Sequence, residues 1–211
     1  MLDVYISSIK KMENADFMQD ILANISAFRS DKYLSVKNNE VKLQILTTTY
    51  LIDEYLKRFD LREKDMIYLL TKEGKPYFKN HTNIKFSISH SNNIVGVAFS
   101  DREVGFDVQH VRSIGDEIYN RVLSDKEKEK VFSETNARER LKLFFKYWVM
   151  KEAILKRDGT GLISNMQDVY DDYGVVGILD ASSSKNIVFE NETYYYCANN
   201  GFNKELEINI L

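Results

Sequence analysis

The stretch Ile84–Gln109, IKFSISHSNNIVGVAFSDREVGFDVQ, contains three short segments with the patterns of β-strands. From Ile84 to Ser89 apolar and polar residues alternate, which is the period of a half-buried strand. The segment Ile94–Phe99 is mostly apolar, and Val104–Val108 forms a third candidate strand after a polar turn. We therefore expect a meander of short strands in this part of the chain.

Apolar residues recur at helical spacing on both sides of this stretch. Upstream, the runs 16–28 and 43–56 predict two helices that open the fold. Downstream, the run 137–157 predicts a long helix, and Gly159 and Gly161 are suitable left-handed stops after it.

Ser124 and Glu127 predict a further helix start, because they match the Ser-x-x-Glu capping box. Short β-like runs follow the long helix at Gly174–Leu179, Ile187–Phe189, Thr193–Ala198 and Glu205–Leu211. The sequence therefore predicts an α+β fold with mostly antiparallel strands. Pro76 is the only proline and no Gly/Ser-rich linker is present, so we expect one compact body.

Composition excludes several classes of function. The chain has 29 Lys and Arg against 32 Asp and Glu, and its net charge of −3 provides no general attraction for nucleic acid. Cys197 is the only cysteine, which excludes an intramolecular disulfide and a multi-cysteine zinc site. No stretch approaches the roughly 18 apolar residues of a membrane span, so we expect no membrane partner and a cytoplasmic location.

The predicted long helix places a carboxylate among apolar residues. One apolar stripe consists of Leu141, Phe145, Trp148 and Leu155. A rotation of about 100° per residue puts Glu152 at the centre of this stripe, where it needs a cation, a metal or a proton. Helical phase alone favours a buried salt bridge. Lys151 and Lys156 flank the stripe, and such lysines are typical of a solvated helix face.

Asp107 and Gln109 share one face of the third candidate strand, because alternate residues of a strand point to the same side. Hard cations such as magnesium take oxygen ligands, so this pair with a third carboxylate would form a cation site. Gly105 beside them permits close approach of another backbone segment. The alternative is an Asp that caps a neighbouring amide, which is the commoner role of an isolated strand Asp.

Ser87, Ser89, His90 and Ser91 form a polar cluster where a strand is predicted to end, which is a common place for ligand-binding groups. The chain has 3 histidines, so a metal site of clustered imidazoles is not expected. Catalytic Ser–His dyads are assembled in space rather than from neighbours in sequence. We therefore do not expect nucleophilic hydrolysis.

Four sequence strings occur in an order that is typical of one family. They are Gly74-Lys75-Pro76, FSISHS from Phe86 to Ser91, VGFDVQ from Val104 to Gln109, and WVMKEAILK from Trp148 to Lys156 with the following Gly159-Thr160-Gly161. Together they resemble the 4'-phosphopantetheinyl transferases of the two-lobed Sfp type, which activate peptide and polyketide synthetases. The resemblance covers residues 74–161, and the outer helices and strands fit the family by type and length.

The resemblance implies two similar α+β lobes in pseudo-twofold arrangement, 1–102 and 103–211, with coenzyme A in the cleft between them. It implies a magnesium-dependent transfer of 4'-phosphopantetheine from coenzyme A to a serine of an acyl or peptidyl carrier protein, with release of 3',5'-ADP. We expect a monomer with coenzyme A and a carrier protein as its partners.

The resemblance also implies roles for single residues. Asp107 and Glu152 match the magnesium ligands of the family, and Gln109 stands where a third acidic ligand is usual. Lys156 matches a lysine near the diphosphate, so the expected catalytic set is Glu152, Lys156 and Asp107. Glu127 matches a glutamate of the active-site region. The positions that match contacts to the nucleotide and its phosphates are Lys75, Pro76, Ser89 and His90, together with Lys156.

Two features differ from the family pattern. Gln109 supplies a neutral oxygen, so the metal site has one negative charge fewer. The basic set of the N-terminal lobe is reduced to Lys42 on the second helix and to Arg29, Lys32 and Lys37 upstream. The alternative function is therefore a catalytically impaired relative that binds coenzyme A or a carrier protein without turnover, and an interaction module without a ligand ranks third.

Overall fold

The computed structural model describes residues 2–160, 166–167, 169, 184–201 and 207–211. The helices are α1 (Ala15–Ala23), α2 (Ala27–Ser35), α3 (Asn39–Leu56), α4 (Asp116–Val122), α5 (Asp125–Ser133) and α6 (Ala137–Asp158). The strands are β1 (Leu2–Ser8), β2 (Tyr68–Leu70), β3 (Pro76–Phe78), β4 (Lys85–Ser91), β5 (Ile94–Ser100), β6 (Gly105–His110), β7 (Lys185–Phe189), β8 (Glu192–Asn199) and β9 (Glu207–Ile210).

The described strands form three sheets. The first has the order β4-β5-β1-β9, the second pairs β2 with β3, and the third has the order β6-β8-β7. Neighbouring strands are antiparallel in all described pairs except β1 and β9, which run parallel. The predicted α+β class with mostly antiparallel strands is confirmed.

The two halves of the chain use the same strand order. In the first half, β1 pairs with β5 and β5 pairs with β4; in the second half, β6 pairs with β8 and β8 pairs with β7. A long helix, α3 or α6, lies between the first strand and the final hairpin in each half. This correspondence supports the predicted repeat, while the boundary at residue 102 stays a prediction.

Three apolar clusters fill the described part of the molecule. Tyr5 and Phe99 of the first sheet belong to a cluster with α3, and Cys197 of the third sheet belongs to a cluster with α4–α6. The opposite faces of the two sheets meet in a third cluster, which contains Val4 and Phe106. The first and third sheets therefore lie between two helical layers.

The predicted helix over 16–28 is wrong, because two helices share this run. α1 ends at Ala23, and Ser26 caps α2 by accepting a hydrogen bond from the amide of Arg29 at 3.4 Å. A polar cap of this kind stops a helix that apolar spacing alone would continue. The fold also opens on β1 rather than on helices, and every residue of β1 is buried, which weakens its alternation.

The prediction of a three-strand meander is correct only for its first two strands. β4 and β5 form a hairpin in which Ser91 lies opposite Ile94. β6 does not continue this sheet, because it pairs with β8 in another sheet. The segment 101–104 thus carries the chain from one sheet to the other, which local sequence patterns do not reveal.

The predictions for the second half are confirmed where the structure describes them. The capping box of Ser124 and Glu127 begins α5, and Gly159 ends α6 with a φ of 68°. β7, β8 and β9 correspond to three of the β-like runs. Gly161 and the run Gly174–Leu179 lie outside the described residues. Among the helices described, none combines the length and apolar character that a bilayer span requires.

Candidate active site

Close packing of β6 on α6 brings the candidate site residues together. A Cβ atom on Gly105 would lie 1.7 Å from the carbonyl oxygen of Ala153 and 2.5 Å from the amide nitrogen of Arg157. Because such distances are impossible for a real side chain, only glycine allows the strand and the helix to approach this closely. The expected close approach at Gly105 is confirmed.

Asp107 is the most heavily bonded residue of the site. Its Oδ1 accepts hydrogen bonds from Lys156 Nζ at 2.6 Å and from Ser89 Oγ at 2.7 Å, and its Oδ2 accepts one from Gln109 Nε2 at 3.1 Å. The side chain is buried, with 1% of Asp107 exposed. The shared face of Asp107 and Gln109 is confirmed, and the partners that the structure records are side chains rather than a capped amide.

Glu152 lies on the α6 face that packs against β6, and 6% of the residue is exposed. The described residues provide no hydrogen bond or ion pair to its carboxylate, so the salt-bridge alternative for Glu152 is not supported. Burial raises the pKa of Glu152, and the nearby charge of Asp107 raises it further, while Lys156 and Arg121 act in the opposite direction. A bound cation would relieve this unfavourable charge.

The buried salt bridge of α6 belongs to Lys151 instead. Lys151 Nζ lies 2.7 Å from Glu127 Oε2 and also donates to the carbonyl oxygens of Val122 and Met166, at 2.8 and 3.0 Å. Lys151 is fully buried, so the expectation of a solvated lysine is wrong at this position. Glu127 keeps its capping role and in addition holds this lysine.

Lys156 and His90 both lie near Asp107. Lys156 Nζ donates to Ser89 Oγ at 3.1 Å as well as to Asp107, so it links α6 to β4. Partial desolvation lowers the pKa of His90, and the charge of Lys156 lowers it further, whereas Asp107 and Glu40 oppose the shift. The structure therefore brings Ser89, Asp107 and Lys156 into direct contact and leaves His90 at the edge of this cluster.

Lys75 and Pro76 line a pocket of about 330 Å³ between the β2–β3 hairpin and β4. The other residues that line it are Thr71, Tyr77, Lys85, Phe86 and Glu103. Lys75 Nζ donates to the carbonyl oxygens of Val104 and Arg157, at 3.0 and 3.4 Å, and to Glu103. Burial lowers the pKa of Lys75, while Glu103 acts to raise it.

Sequence patterns did not single out Glu103 and Lys85. Glu103 was part of an expected turn, but its carboxylate lies 3.3 Å from Lys75 Nζ and 2.9 Å from Lys85 Nζ. The three residues come from separate segments, so no local spacing could have indicated them.

Arg29 and Lys42 of the first half have aromatic or acidic partners. Arg29 is buried, with its guanidinium over the ring of Tyr68 and Nε 3.9 Å from Glu63 Oε1. Lys42 Nζ lies over the ring of Tyr33. Arg29 therefore belongs to the interior of the first half.

The oxygen donors of the site suit a hard divalent cation. Asp107 and Glu152 supply carboxylates and Gln109 supplies an amide oxygen, which are ligand types that magnesium accepts. Gln109 directs its amide nitrogen toward Asp107, so its oxygen faces away from that carboxylate. No group of three or more His, Cys, Asp or Glu side chains with metal-binding geometry occurs among the described residues, which agrees with a neutral residue at position 109.

Residues 103–202 match the family model of the 4'-phosphopantetheinyl transferase superfamily. Over this segment the chain is similar to this superfamily. Its relatives include the L-aminoadipate-semialdehyde dehydrogenase-phosphopantetheinyl transferase of Candida glabrata, which is 32% identical over 124 residues, covering 56% of this chain and 48% of the relative. The 4'-phosphopantetheinyl transferase Sfp of Bacillus subtilis is 27% identical over 155 residues, covering 73% of this chain and 67% of Sfp.

A third relative, the 4'-phosphopantetheinyl transferase AcpT of Salmonella typhi, is 34% identical over 98 residues, which cover 45% of this chain and 50% of AcpT. The chain thus spans between about half and two thirds of the length of these three relatives. The superfamily match includes β6, α4, α5 and α6, so the residues around Asp107 and Glu152 lie within it.

Proposed function

We propose that this protein transfers 4'-phosphopantetheine from coenzyme A to a serine hydroxyl of an acyl or peptidyl carrier protein and releases 3',5'-ADP. The observation that carries the proposal is a site in which Asp107, Lys156 and the buried carboxylate of Glu152 lie close together, Glu152 having no partner among the described residues, in a chain whose residues 103–202 match this superfamily. We also propose a role for each residue of this site.

Asp107, Glu152 and Gln109 would hold the magnesium ion. The two carboxylates and the charge of Lys156 give a net charge of about −1, so a divalent cation is attracted to the site. Magnesium, when bound, polarises phosphate oxygens and offsets their negative charge. Gln109 would act through its amide oxygen after rotation of the amide, or through a water molecule.

The reaction forms one bond and breaks one bond at phosphorus. The serine oxygen of the carrier attacks the phosphorus next to pantetheine, and the bond from that phosphorus to the oxygen of 3',5'-ADP breaks. Glu152, a buried carboxylate close to Asp107, would accept the serine proton as general base. Lys156 offsets the charge that develops on the departing diphosphate oxygen, and such transfer depends mainly on positioning and electrostatics.

The pocket beside Lys75 and Pro76 would receive the nucleotide of coenzyme A, with Ser89 and His90 toward the phosphates. Its volume of about 330 Å³ is at the low end for small-molecule sites, so it suits a part of coenzyme A. Lys75 already has carbonyl partners in Val104 and Arg157. A phosphate contact by Lys75 would therefore compete with these bonds.

The second candidate is a relative that binds coenzyme A or a carrier protein without turnover. The observation that favours it is Gln109, which removes one carboxylate from the expected metal site. It predicts binding of coenzyme A without formation of 3',5'-ADP.

Incubation of a panel of carrier proteins with coenzyme A, magnesium and this protein separates the candidates. The transferase predicts a carrier whose mass increases by one phosphopantetheine group, with one 3',5'-ADP released for each. Thermal stabilisation by coenzyme A without either product would favour the binding protein. The absence of both effects would contradict the proposed function.

A further inference from the structure

Strands β4 and β6 belong to different sheets, yet side-chain hydrogen bonds join them. The amide of Phe106 donates to Ser87 Oγ at 3.0 Å, and the amide of His110 donates to Ser91 Oγ at 3.0 Å. In each pair the two residues are 19 positions apart in the chain. Because this offset is the same for both pairs, the two strands run parallel in one register. We call these two contacts the serine seam.

The serine seam replaces a missing neighbour of β6. β6 is the outer strand of the order β6-β8-β7, and an outer strand leaves alternate backbone amides without a ladder partner. Phe106 is fully buried, and a buried amide without a partner is costly. The hydroxyls of Ser87 and Ser91 satisfy two such amides.

Ser89 lies midway between the two contacts of the serine seam. Its hydroxyl donates to Asp107 Oδ1 at 2.7 Å and accepts from Lys156 Nζ at 3.1 Å. The seam therefore brackets the point at which β4 meets the candidate metal site. Any slip between the two strands would move Ser89 and His90 relative to Asp107 and Gln109.

We propose that Ser87 and Ser91 are positioning residues that fix the phosphate-binding strand β4 against the metal-binding strand β6. This inference rests on the proposed function. A phosphate oxygen held from β4 must reach the coordination shell of a magnesium ion held from β6, at about 2.1 Å from the ion. A misplacement of about 1 Å is enough to lose much of such an arrangement.

Alanine variants of the seam test this role. The set is Ser87→Ala, Ser91→Ala and the double variant, with Ser100→Ala as the matched control. Ser100 is also buried and its hydroxyl accepts a hydrogen bond from the amide of Arg102 at 3.2 Å, but it lies on β5. Threonine at positions 87 and 91 retains the hydroxyl and serves as the rescue variant.

The measurement is the melting temperature as a function of MgCl2 concentration at fixed coenzyme A. The double alanine variant is expected to need about tenfold more magnesium for half of the stabilisation, which corresponds to about 1.4 kcal/mol. Each single variant should need about threefold more, because separate contacts add. Ser100→Ala should lower the melting temperature and leave the magnesium midpoint unchanged, and the threonine variants should restore the midpoint.

Amide hydrogen exchange provides a second readout that does not depend on magnesium. The amides of Phe106 and His110 should exchange faster in the alanine variants than in the parent protein. An unchanged or slower exchange rate would show that these two hydrogen bonds do not form. If the parent protein responds to magnesium and the double variant has the same magnesium midpoint, the positioning role alone is overturned. A parent protein that shows no response to coenzyme A and magnesium would overturn the proposed function and the positioning role with it.

Discussion

Glu152 combines burial with the lack of a described partner, and this determines what its replacement should do. Because its folded-state pKa is raised, the ionised form is disfavoured in the fold, and stability is lost as the pH rises through that pKa. Glu152→Gln removes this loss and keeps the side-chain volume. We predict that the metal-free variant melts at the same or a higher temperature than the parent at neutral pH, and that transfer to a carrier is abolished.

Thermal melting without metal and mass spectrometry of a carrier protein measure the two effects. Glu139→Gln on the same helix is the matched control, because Glu139 is exposed and pairs with Lys142 on the surface. Glu139→Gln should leave the melting temperature and the transfer to a carrier near the parent values. A Glu152→Gln protein that is destabilised and still transfers normally would contradict the metal role of this carboxylate.

Replacement of Gln109 tests the cation site by adding a carboxylate, whereas replacement of Glu152 removes one. Its side chain already lies 3.1 Å from Asp107, so Gln109→Glu adds a carboxylate at the site with little change of volume. We predict that this variant needs less magnesium than the parent for half-maximal activity, because a further negative oxygen attracts a divalent cation more strongly. A magnesium titration of activity measures this midpoint.

Without metal, the same variant should be less stable than the parent, because it brings a third carboxylate to Asp107 and Glu152. Added magnesium should remove this difference in melting temperature. An equal magnesium response in both proteins would show that residues 107 and 109 do not face a common ion.

Lys75 and His90 should differ in how much their replacement affects stability. Both substitutions to Ala are predicted to raise KM for coenzyme A more than they lower kcat, because contacts to phosphate act in ground state and transition state alike. Lys75→Ala should in addition lower the melting temperature, because it leaves the carbonyls of Val104 and Arg157 without their donor. Steady-state kinetics and thermal melting measure these effects. An unchanged KM in both variants would place the nucleotide elsewhere.

At the scale of elements, the pair of Glu127 and Lys151 joins α5 and α6 one residue before Glu152. Both residues are buried, and Lys151 also binds backbone carbonyls at Val122 and Met166. We predict that Glu127→Gln lowers the free energy of unfolding by about 3–5 kcal/mol, because it removes the negative charge that Glu127 places beside a buried ammonium. Glutamine retains the capping box, so loss of the cap does not contribute.

Denaturant unfolding measures this free energy, and a double variant supplies the control. Glu127→Gln with Lys151→Met removes both charges and should recover part of the lost stability, since an apolar replacement of a buried pair is often nearly neutral. A single Glu127→Gln variant as stable as the parent would mean that the pair contributes nothing to the packing of α5 on α6.

The same elements show what the sequence could and could not predict. The length of α6 and the burial of Glu152 followed from helical phase, and the common face of Asp107 and Gln109 followed from strand alternation. The burial of Lys151 could not be predicted from helical phase, because its partners lie on other segments of the chain. The pairing of β6 with β8 instead of β5 likewise depends on a contact of distant segments.

At the scale of the whole molecule, the apolar cluster between the two sheets couples the halves of the chain. Val4 and Ile6 of β1 share this cluster with Phe106 and Val108 of β6. β9, near the end of the chain, adds to β1 in the first sheet, with Val4 opposite Ile208. A half that unfolded alone would expose this cluster and break a sheet, so independent unfolding should be unfavourable.

We therefore predict one cooperative thermal transition for the whole chain. Trp148 is the only tryptophan and stacks on Phe145 in the second half, so its fluorescence reports that half, while far-ultraviolet circular dichroism reports both. The two curves should coincide. Leu51→Ala on α3 empties a buried position of the first half and should cost about 2–5 kcal/mol. If the two halves are coupled, Leu51→Ala lowers the transition temperature measured by Trp148 fluorescence as much as that measured by circular dichroism. An unchanged transition temperature by Trp148 fluorescence would show that the central cluster does not couple the two halves.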